Sequence, residues 1–250
     1  MPEVFDITDP DQMVAGLRHA RMAIGRKQLV VFPADTSYAL AGNAFSPASV
    51  MLLREVKGWA KPVPPQVLLP GIPTLAALAA EVAEPVEALA KAFWPGGLTL
   101  IVPAGESLQW DLGDNKGTVS LRMPSDQAAR ELLADTGPLA VTQATPIGSA
   151  MGGALGGALG GALANDPDAV VEAFSDQVAV YLTRGVIEAT AASTVVDATG
   201  LAFPEGRLRI LREGAIDKAA LVDVVGIEWF EKPAEPEPQS ESQPESQPGD

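Results

Sequence analysis

Short apolar runs that are typical of strands alternate with helix-like segments along most of the chain, and this alternation constrains the fold more than any other feature. The predicted strands cover residues 28–32, 67–69, 98–102, 118–122, 139–142, 178–182, 194–197 and 208–211. The predicted helices cover residues 11–25, 47–56, 74–93 (one helix, or two broken at Pro85), 126–135, 168–174 and 218–224. Strands separated by helices predict an α/β fold built on one mixed sheet.

Composition narrows the chemistry that this fold can support. The chain has 250 residues, enough for one large domain or two small ones, and 47% of them are hydrophobic. No cysteine is present, which excludes disulfides, zinc–thiolate sites and cysteine nucleophiles. The one histidine, His19, lies in a helix-like run, and a structural role is the favoured interpretation of it.

Charge is unevenly distributed between the body of the chain and its end. Residues 233–250 are almost entirely Pro, Glu, Ser and Gln, so we predict a folded domain over 1–230 and a disordered acidic tail over 231–250. The net charge is −15, of which the tail carries −5 and the body −10. An acidic body repels nucleic acid unless a local basic pocket attracts it. The start of the sequence lacks the features of a secretory signal, so a cytoplasmic location is expected.

A four-residue repeat, Gly-Gly-Ala-Leu, runs from residue 152 to 163. A membrane span is disfavoured, because the uncharged stretch 147–164 barely reaches the minimum length and a third of it is glycine. A phosphate-binding loop is also disfavoured, because no Lys or Ser/Thr partner follows the glycines. We interpret the repeat as a flexible or loosely helical flap.

The stretch Pro-Ala-Asp-Thr-Ser-Tyr-Ala-Leu at residues 33–40 follows a predicted buried strand. Ligands of open α/β sheets bind where strands end, so Asp35, Thr36 and Tyr38 are candidates for holding a small polar substrate. A simple turn is the alternative, because Asp and Thr both favour turns.

Cationic side chains form two further candidate sites. Lys57 and Lys61 follow a predicted helix, where they can bind phosphate or simply complement the helix C-terminus. Strand alternation places Ser120 and Arg122 on one face, where a hydroxyl and a guanidinium suit a carboxylate or phosphate; an exposed strand face is the alternative. The Trp-Pro-Gly-Gly run at 94–97 is interpreted as a rigid turn.

These segments, taken in order from residue 28 to 216, resemble the YrdC/TsaC-type threonylcarbamoyl-AMP synthase family. The family motifs P-T-D-T-x-Y-G-L, K-x-R-P, W-P-G-P-L-T, x-R-x-P, S-A-N-x-S-G, S-T-I-V-D and L-R-x-G correspond to sequences that begin near residues 33, 57, 94, 121, 143, 193 and 211. The resemblance implies a YrdC-like single domain, a twisted mixed sheet with flanking helices and a concave ligand pocket.

The resemblance also implies an activity and a set of binding residues. The family makes L-threonylcarbamoyl-AMP from threonine, bicarbonate and ATP, with Mg²⁺ expected, and the product feeds the t6A modification of tRNA. By this resemblance, Thr36, Tyr38, Arg122 and Ser193 hold the substrate amino acid or its carbamate. The residues implied for the nucleotide are Lys57, Lys61, Thr142 and Arg212. Binding of tRNA or double-stranded RNA is a weaker implication, and the body charge argues against it.

The sequence departs from the family pattern at two sites that bear on catalysis. The K-x-R motif becomes Lys57-Gly58-Trp59 and loses a guanidinium, and S-A-N becomes Gln143-Ala144-Thr145. Loss of one group that stabilises a transition state costs on the order of 3 kcal/mol. We therefore expect either a slow enzyme or, alternatively, a catalytically inactive paralogue that binds nucleotide or RNA.

Overall fold

The structure is a computed structural model, and it describes residues 2–58, 64–105, 110–145, 163–188 and 190–231. The strands are β1 (Glu3–Asp6), β2 (Val30–Ala34), β3 (Ser37–Asn43), β4 (Gln66–Leu68), β5 (Leu98–Pro103), β6 (Thr118–Arg122), β7 (Leu139–Gln143), β8 (Val180–Thr183), β9 (Thr194–Asp197) and β10 (Arg209–Arg212). The α-helices are α1 (Pro10–Gly25), α2 (Pro47–Val56), α3 (Ile72–Leu78), α4 (Glu84–Phe93), α5 (Gln127–Thr136), α6 (Pro167–Phe174) and α7 (Lys218–Val225).

The strands form one mixed sheet in the order β1-β8-β2-β3-β7-β4-β6-β5-β9-β10. Strand pairs β1–β8, β2–β8, β4–β6 and β5–β9 are parallel, whereas the other neighbours are antiparallel. The predicted α/β class with a mixed sheet and flanking helices is therefore confirmed.

Strand alternation divides the core into two layers, one on each face of the sheet. Val30 and Phe32 pack with apolar residues of α1 and α5, whereas Leu29 and Val31 face the larger cluster that includes α2 and α4. All four side chains are fully buried. A strand that is buried on both faces reads as a continuous apolar run, which is the pattern from which this strand was predicted.

The strand at residues 37–43 was not predicted from the sequence. These residues form strand β3, which pairs with β2 and β7, so Asp35 and Thr36 lie in a tight hairpin turn, the alternative that the sequence left open. Alanine and glycine in β3 have low strand propensity, and the sheet around them overrides it. Of the two alternatives for residues 74–93, the structure has two helices, α3 and α4, and Pro85 lies in the first turn of α4, where no N–H donor is needed. Strand β1 was also missed.

Several predictions concern residues outside the described ranges. Most of the Gly-Gly-Ala-Leu repeat, Trp59, Lys61 and nearly all of the acidic tail lie there. Within the ranges that the structure describes, no helix has the length and apolar character needed to span a bilayer.

Candidate substrate-binding site

Asp35, in the turn between β2 and β3, is the centre of a buried polar cluster. Its carboxylate accepts a hydrogen bond from Nη2 of Arg122 at 2.5 Å. It also accepts from the backbone N–H groups of Ser125 and Asp126 at 2.9 and 2.8 Å and from the Ser125 hydroxyl at 2.7 Å. The hairpin turn is thereby fixed to the end of β6 and the start of α5.

The charges in this cluster compensate each other. Burial alone would raise the pKa of Asp35, but the Arg122 guanidinium and the hydrogen bonds from Ser125 and Asp126 outweigh it and hold that pKa below its usual range. Only 8% of the Arg122 side chain and 13% of the Asp35 side chain is exposed. The ion pair is therefore largely shielded from solvent.

Arg122 is held from a second side by the Trp-Pro-Gly-Gly turn. Its Nε donates to the Gly96 carbonyl at 2.9 Å, and the N–H of Gly96 donates to the Met123 carbonyl at 2.9 Å. The indole N–H of Trp94 closes the turn by donating to the Leu98 carbonyl. This segment is the turn that was predicted, and it also orients the guanidinium.

Tyr38 connects the hairpin to the loop after β8. Its side chain is fully buried, and its hydroxyl donates to the Gly185 carbonyl at 2.6 Å and accepts from the Arg184 N–H at 2.9 Å. Arg184 forms an ion pair with Asp126, which also places this loop beside the start of α5. Burial raises the pKa of the Tyr38 hydroxyl.

A second polar chain joins strands β4, β5 and β9 to the end of β10. Nε2 of Gln66 donates to the Thr99 hydroxyl at 2.8 Å, and the Thr99 hydroxyl donates to Oγ of Ser193 at 3.1 Å. Arg212 donates twice to the same residue, from Nε to the Ser193 carbonyl and from Nη2 to Oγ at 3.0 Å. Ser193 and Arg212, which lie 19 residues apart, thus meet directly.

The two clusters meet at the Gly96–Gly97 turn, because Arg122 donates to the Gly96 carbonyl and the N–H of Thr194, next to Ser193, donates to the Gly97 carbonyl. Burial, and next the positive charge of Arg122, lower the pKa of Arg212. Two guanidinium groups that repel each other in a partly buried setting favour an anion between or beside them. This part of the molecule can therefore attract a carboxylate or a phosphate.

The segment that carries Ser193 and Arg212 depends on a close backbone approach. Thr194, fully buried, uses its hydroxyl to donate to the Ile216 carbonyl and to accept from the N–H groups of Gly214 and Ile216. A Cβ atom added at Gly214 would lie 2.1 Å from the Ala192 carbonyl oxygen. Only glycine fits at this position without movement of the backbone.

Lys57, at the end of α2, is buried with 8% of its surface exposed. Its ammonium donates to the Gln143 carbonyl at 3.0 Å and to the carbonyl and hydroxyl oxygens of Thr145, both at 2.6 Å. Ala144, between these residues, donates its N–H to the Tyr38 carbonyl, so the end of β7 lies against the Tyr38 region. Within the described residues, Lys57 forms no ion pair.

Burial lowers the pKa of Lys57 to about 8 from its ordinary value of 10.5. Between these two pH values the unfolded chain binds a proton that the folded protein has released, so the free energy of unfolding rises with pH across this interval. We expect Lys57→Met to remove this rise, which amounts at most to on the order of 3 kcal/mol. Urea unfolding at pH 7.5 and 10.5 measures it.

The control for this experiment is Lys91→Met, because Lys91 is on the surface in an ion pair with Glu87. Its unfolding free energy should follow the wild-type pH dependence. Parallel profiles for wild type and Lys57→Met would contradict a lowered pKa for Lys57.

The structure brings some of the predicted site residues into contact, and these contacts could not be predicted from the sequence. Arg122 pairs with Asp35, the chain neighbour of Thr36, and Ser193 contacts Arg212. Thr142 is half-buried on β7, paired with β3, and makes no side-chain hydrogen bond within the described residues. These placements leave the predicted substrate and nucleotide roles as predictions.

Several residues of the site were not singled out from the sequence. Thr99 lies at the end of the tryptophan motif, which could have indicated it, but that motif was interpreted as a turn alone. Gln66, Ser125, Asp126 and Arg184 carry no pattern in the sequence, because their roles arise from contacts between distant segments.

Comparison with known proteins decides the family. Residues 22–214 match the family model for Sua5, YciO and YrdC proteins, which is described as "Telomere recombination". The chain belongs to this family. The resemblance inferred from the motifs is therefore confirmed.

Relatives within the Sua5/YciO/YrdC family extend this result. The chain is 39% identical over 228 residues to a Mycobacterium tuberculosis protein named "Putative threonylcarbamoyl-AMP synthase", with 91% of this chain and 97% of that protein covered. It is 29% identical over 211 residues to the threonylcarbamoyl-AMP synthase of Pyrococcus abyssi, with 84% of this chain and 57% of that protein covered.

A solved structure of the same family shares the fold. The crystal structure of Pyrococcus abyssi Sua5 complexed with L-threonine superposes with a TM-score of 0.70 at 26% identity, covering 89% of this chain and 59% of that one. The chain thus spans less than two thirds of the length of the two Pyrococcus relatives.

Proposed function

We propose that this protein is a nucleotidyltransferase that forms L-threonylcarbamoyl-AMP from threonine, bicarbonate and ATP, for the t6A modification of tRNA. The observation that carries the proposal is the arrangement of Arg122, Arg212 and Ser193 around the Gly96–Gly97 turn: Arg122 donates to Gly96, Arg212 donates to Ser193, and the next residue, Thr194, donates to Gly97. The names of the relatives in the family support the same reaction.

The amino-acid end of the site is assigned to Arg122, Ser193, Thr36 and Tyr38. Nε and Nη2 of Arg122 are used by Gly96 and Asp35, which leaves Nη1 without a partner among the described residues. A guanidinium fixed on one edge can bind the threonine carboxylate on the other. Since the Tyr38 hydroxyl already holds the loop at Gly185, we assign it to shaping the pocket.

The nucleotide end is assigned to Lys57, Thr142 and Arg212, with Lys61 as a further candidate. The threonine amine and bicarbonate condense to a carbamate with loss of water, a carbamate oxygen then bonds to the α-phosphorus of ATP, and the bond to pyrophosphate breaks. Cations lower the barrier by stabilising the charge that develops on the phosphate oxygens. Arg122 and Arg212 lie on either side of the Gly96–Gly97 turn, because Arg122 donates to the Gly96 carbonyl and Arg212 donates to the Ser193 carbonyl, beside Thr194, whose N–H donates to the Gly97 carbonyl.

The described residues do not form a protein cage for a metal ion. No group of three or more His, Asp or Glu side chains converges within them, and Asp35 is already paired with Arg122. Mg²⁺ usually keeps several waters and is shared with substrate phosphates. We therefore propose that any Mg²⁺ arrives coordinated by ATP.

The experiment is a pyrophosphate-release assay with ATP, L-threonine and bicarbonate. We expect release that requires both threonine and bicarbonate, and we expect it to fall at least a hundredfold in Arg212→Ala. The surface variant Lys91→Ala is the control and should retain wild-type activity. Pyrophosphate release that does not depend on threonine, or that is unchanged in Arg212→Ala, would contradict the proposal.

One observation favours a second candidate, a binding protein that has lost catalysis. All three ammonium protons of Lys57 are directed at Gln143 and Thr145, so this cation is engaged before any phosphate arrives. Calorimetry separates the candidates: ATP and threonine that bind without turnover support the binding protein. RNA binding would require the acidic body to present a basic surface, and its affinity should then fall steeply with salt.

A further inference from the structure

The Ser193 hydroxyl has a hydrogen-bonding requirement that its protein partners do not meet. A serine hydroxyl accepts two hydrogen bonds and donates one. Oγ of Ser193 receives the Thr99 hydroxyl at 3.1 Å and Nη2 of Arg212 at 3.0 Å. Both acceptor positions are filled, and within the described ranges no protein group accepts the Ser193 proton.

Gln66 sets the direction in which the hydrogen bonds of this chain are donated. The Nε2 amide group can only donate, and it lies 2.8 Å from the Thr99 hydroxyl oxygen. Since Thr99 accepts there, its own proton is free to go to Ser193. Arg212 cannot accept a hydrogen bond, so it also acts on Ser193 only as a donor.

Burial makes this direction persistent. Thr99 is 1% exposed and Ser193 is 6% exposed, so little water competes for either hydroxyl. In such surroundings a polar group left without a partner is costly. Among the residues that the structure describes, the Ser193 proton has no acceptor, and a ligand carboxylate can supply one.

We propose that Gln66 and Thr99 are positioning residues that turn the Ser193 hydroxyl into an obligate donor to the carboxylate of the amino-acid substrate. This inference rests on the proposed function. The Arg212 guanidinium, which donates to Ser193 directly, supplies charge that attracts a carboxylate, whereas the chain from Gln66 supplies a directional neutral donor. Thr99 and Gln66 need not touch the substrate themselves.

The first test compares Thr99→Val with Thr99→Ser, using calorimetry with L-threonine and steady-state kinetics. Valine keeps the shape of threonine but removes the hydroxyl. We expect the threonine Kd and KM to rise about tenfold in Thr99→Val, the loss of roughly one hydrogen bond, with kcat and the KM for ATP within twofold. Thr99→Ser restores the hydroxyl and should bind threonine within twofold of wild type.

The second test reverses the chain at its origin. In Gln66→Glu the carboxylate accepts from Thr99, Thr99 then accepts from Ser193, and Ser193 loses its free proton. We expect a larger rise in the threonine KM than in Gln66→Met, which leaves Thr99 free to rotate. The KM for ATP should change less than twofold in both variants.

The outcomes separate this inference from the proposed function. Threonine binding by Thr99→Val and Gln66→Glu that equals wild type overturns the inference and leaves the function standing. An equal loss of affinity for threonine and ATP also overturns it, because it indicates a merely structural role. A wild-type protein that binds no threonine overturns both.

Discussion

Replacing Arg122 by alanine should both destabilise the protein and abolish threonine-dependent turnover. The variant leaves the Asp35 carboxylate buried without its ion-pair partner, at a cost of about 3–5 kcal/mol in the free energy of unfolding. It also removes the proposed carboxylate-binding group, for which we expect at least a hundredfold lower kcat/KM for threonine. Chemical denaturation and the pyrophosphate assay measure the two effects.

A double variant and two controls test the physical reason. The double variant Arg122→Ala with Asp35→Asn should recover part of the lost stability, because asparagine leaves no unpaired charge in the protein interior. It should not recover activity. Arg122→Lys keeps the charge without the planar fork and should remain less active than wild type. Breaking the exposed pair of Glu87 and Lys91 should cost at most about 1 kcal/mol. A stable, active Arg122→Ala protein would refute the role assigned to this ion pair.

Adding one methyl group at Gly214 should produce the second large effect. The new Cβ would lie 2.1 Å from the Ala192 carbonyl oxygen and 2.8 Å from the Ser193 carbonyl carbon, both of which are backbone atoms. Backbone that must move costs about 1–3 kcal/mol or more, and here the movement separates Ser193 from Arg212. We expect Gly214→Ala to lose about 3 kcal/mol of stability and at least 90% of its turnover.

Gly25→Ala provides the matched control for this prediction. Gly25 ends helix α1, and a Cβ there meets no atom within 4 Å. This variant should keep wild-type activity and should be slightly more stable, because alanine favours the helix by about 1 kcal/mol over glycine. Equal thermal stability and turnover of Gly214→Ala and wild type would contradict the close approach at Gly214.

Sequence patterns predicted secondary structure most reliably where the residues of the element are buried in the core or cap its end. Helix α2 was predicted with its bounds, and the Ser46 hydroxyl caps its start by accepting from the Ser49 N–H. The strand of residues 28–32 was recognised by its continuous apolar run, although it begins at Val30 and extends to Ala34. These features are local, since the residues that specify them are neighbours in sequence.

Strand β3 marks where such patterns fail. Its Tyr-Ala-Leu-Ala-Gly-Asn sequence carries little strand propensity, and its place in the sheet comes from β2 on one side and β7 on the other. Missing β3 left it open whether Asp35 and Thr36 lie in a ligand-binding loop or in the hairpin turn that the structure shows. It also hid the partnership of Asp35 with the start of α5, 90 residues later in the chain.

The amino-acid sequence alone determined the α/β class, the mixed sheet and the family. It also identified Arg122, Ser193 and Arg212 as candidate site residues. Apolar periodicity and ordered motifs can be recognised from the order of the residues alone. Only the tertiary structure decided that Arg122 pairs with Asp35, that Lys57 is engaged by the end of β7, and that Gln66 and Thr99 orient Ser193. Each of these contacts joins residues that lie 33 or more positions apart in the sequence. Hydrogen bonds and ion pairs act over a few ångströms in space, and the positions of two residues in the sequence do not show whether they come that close.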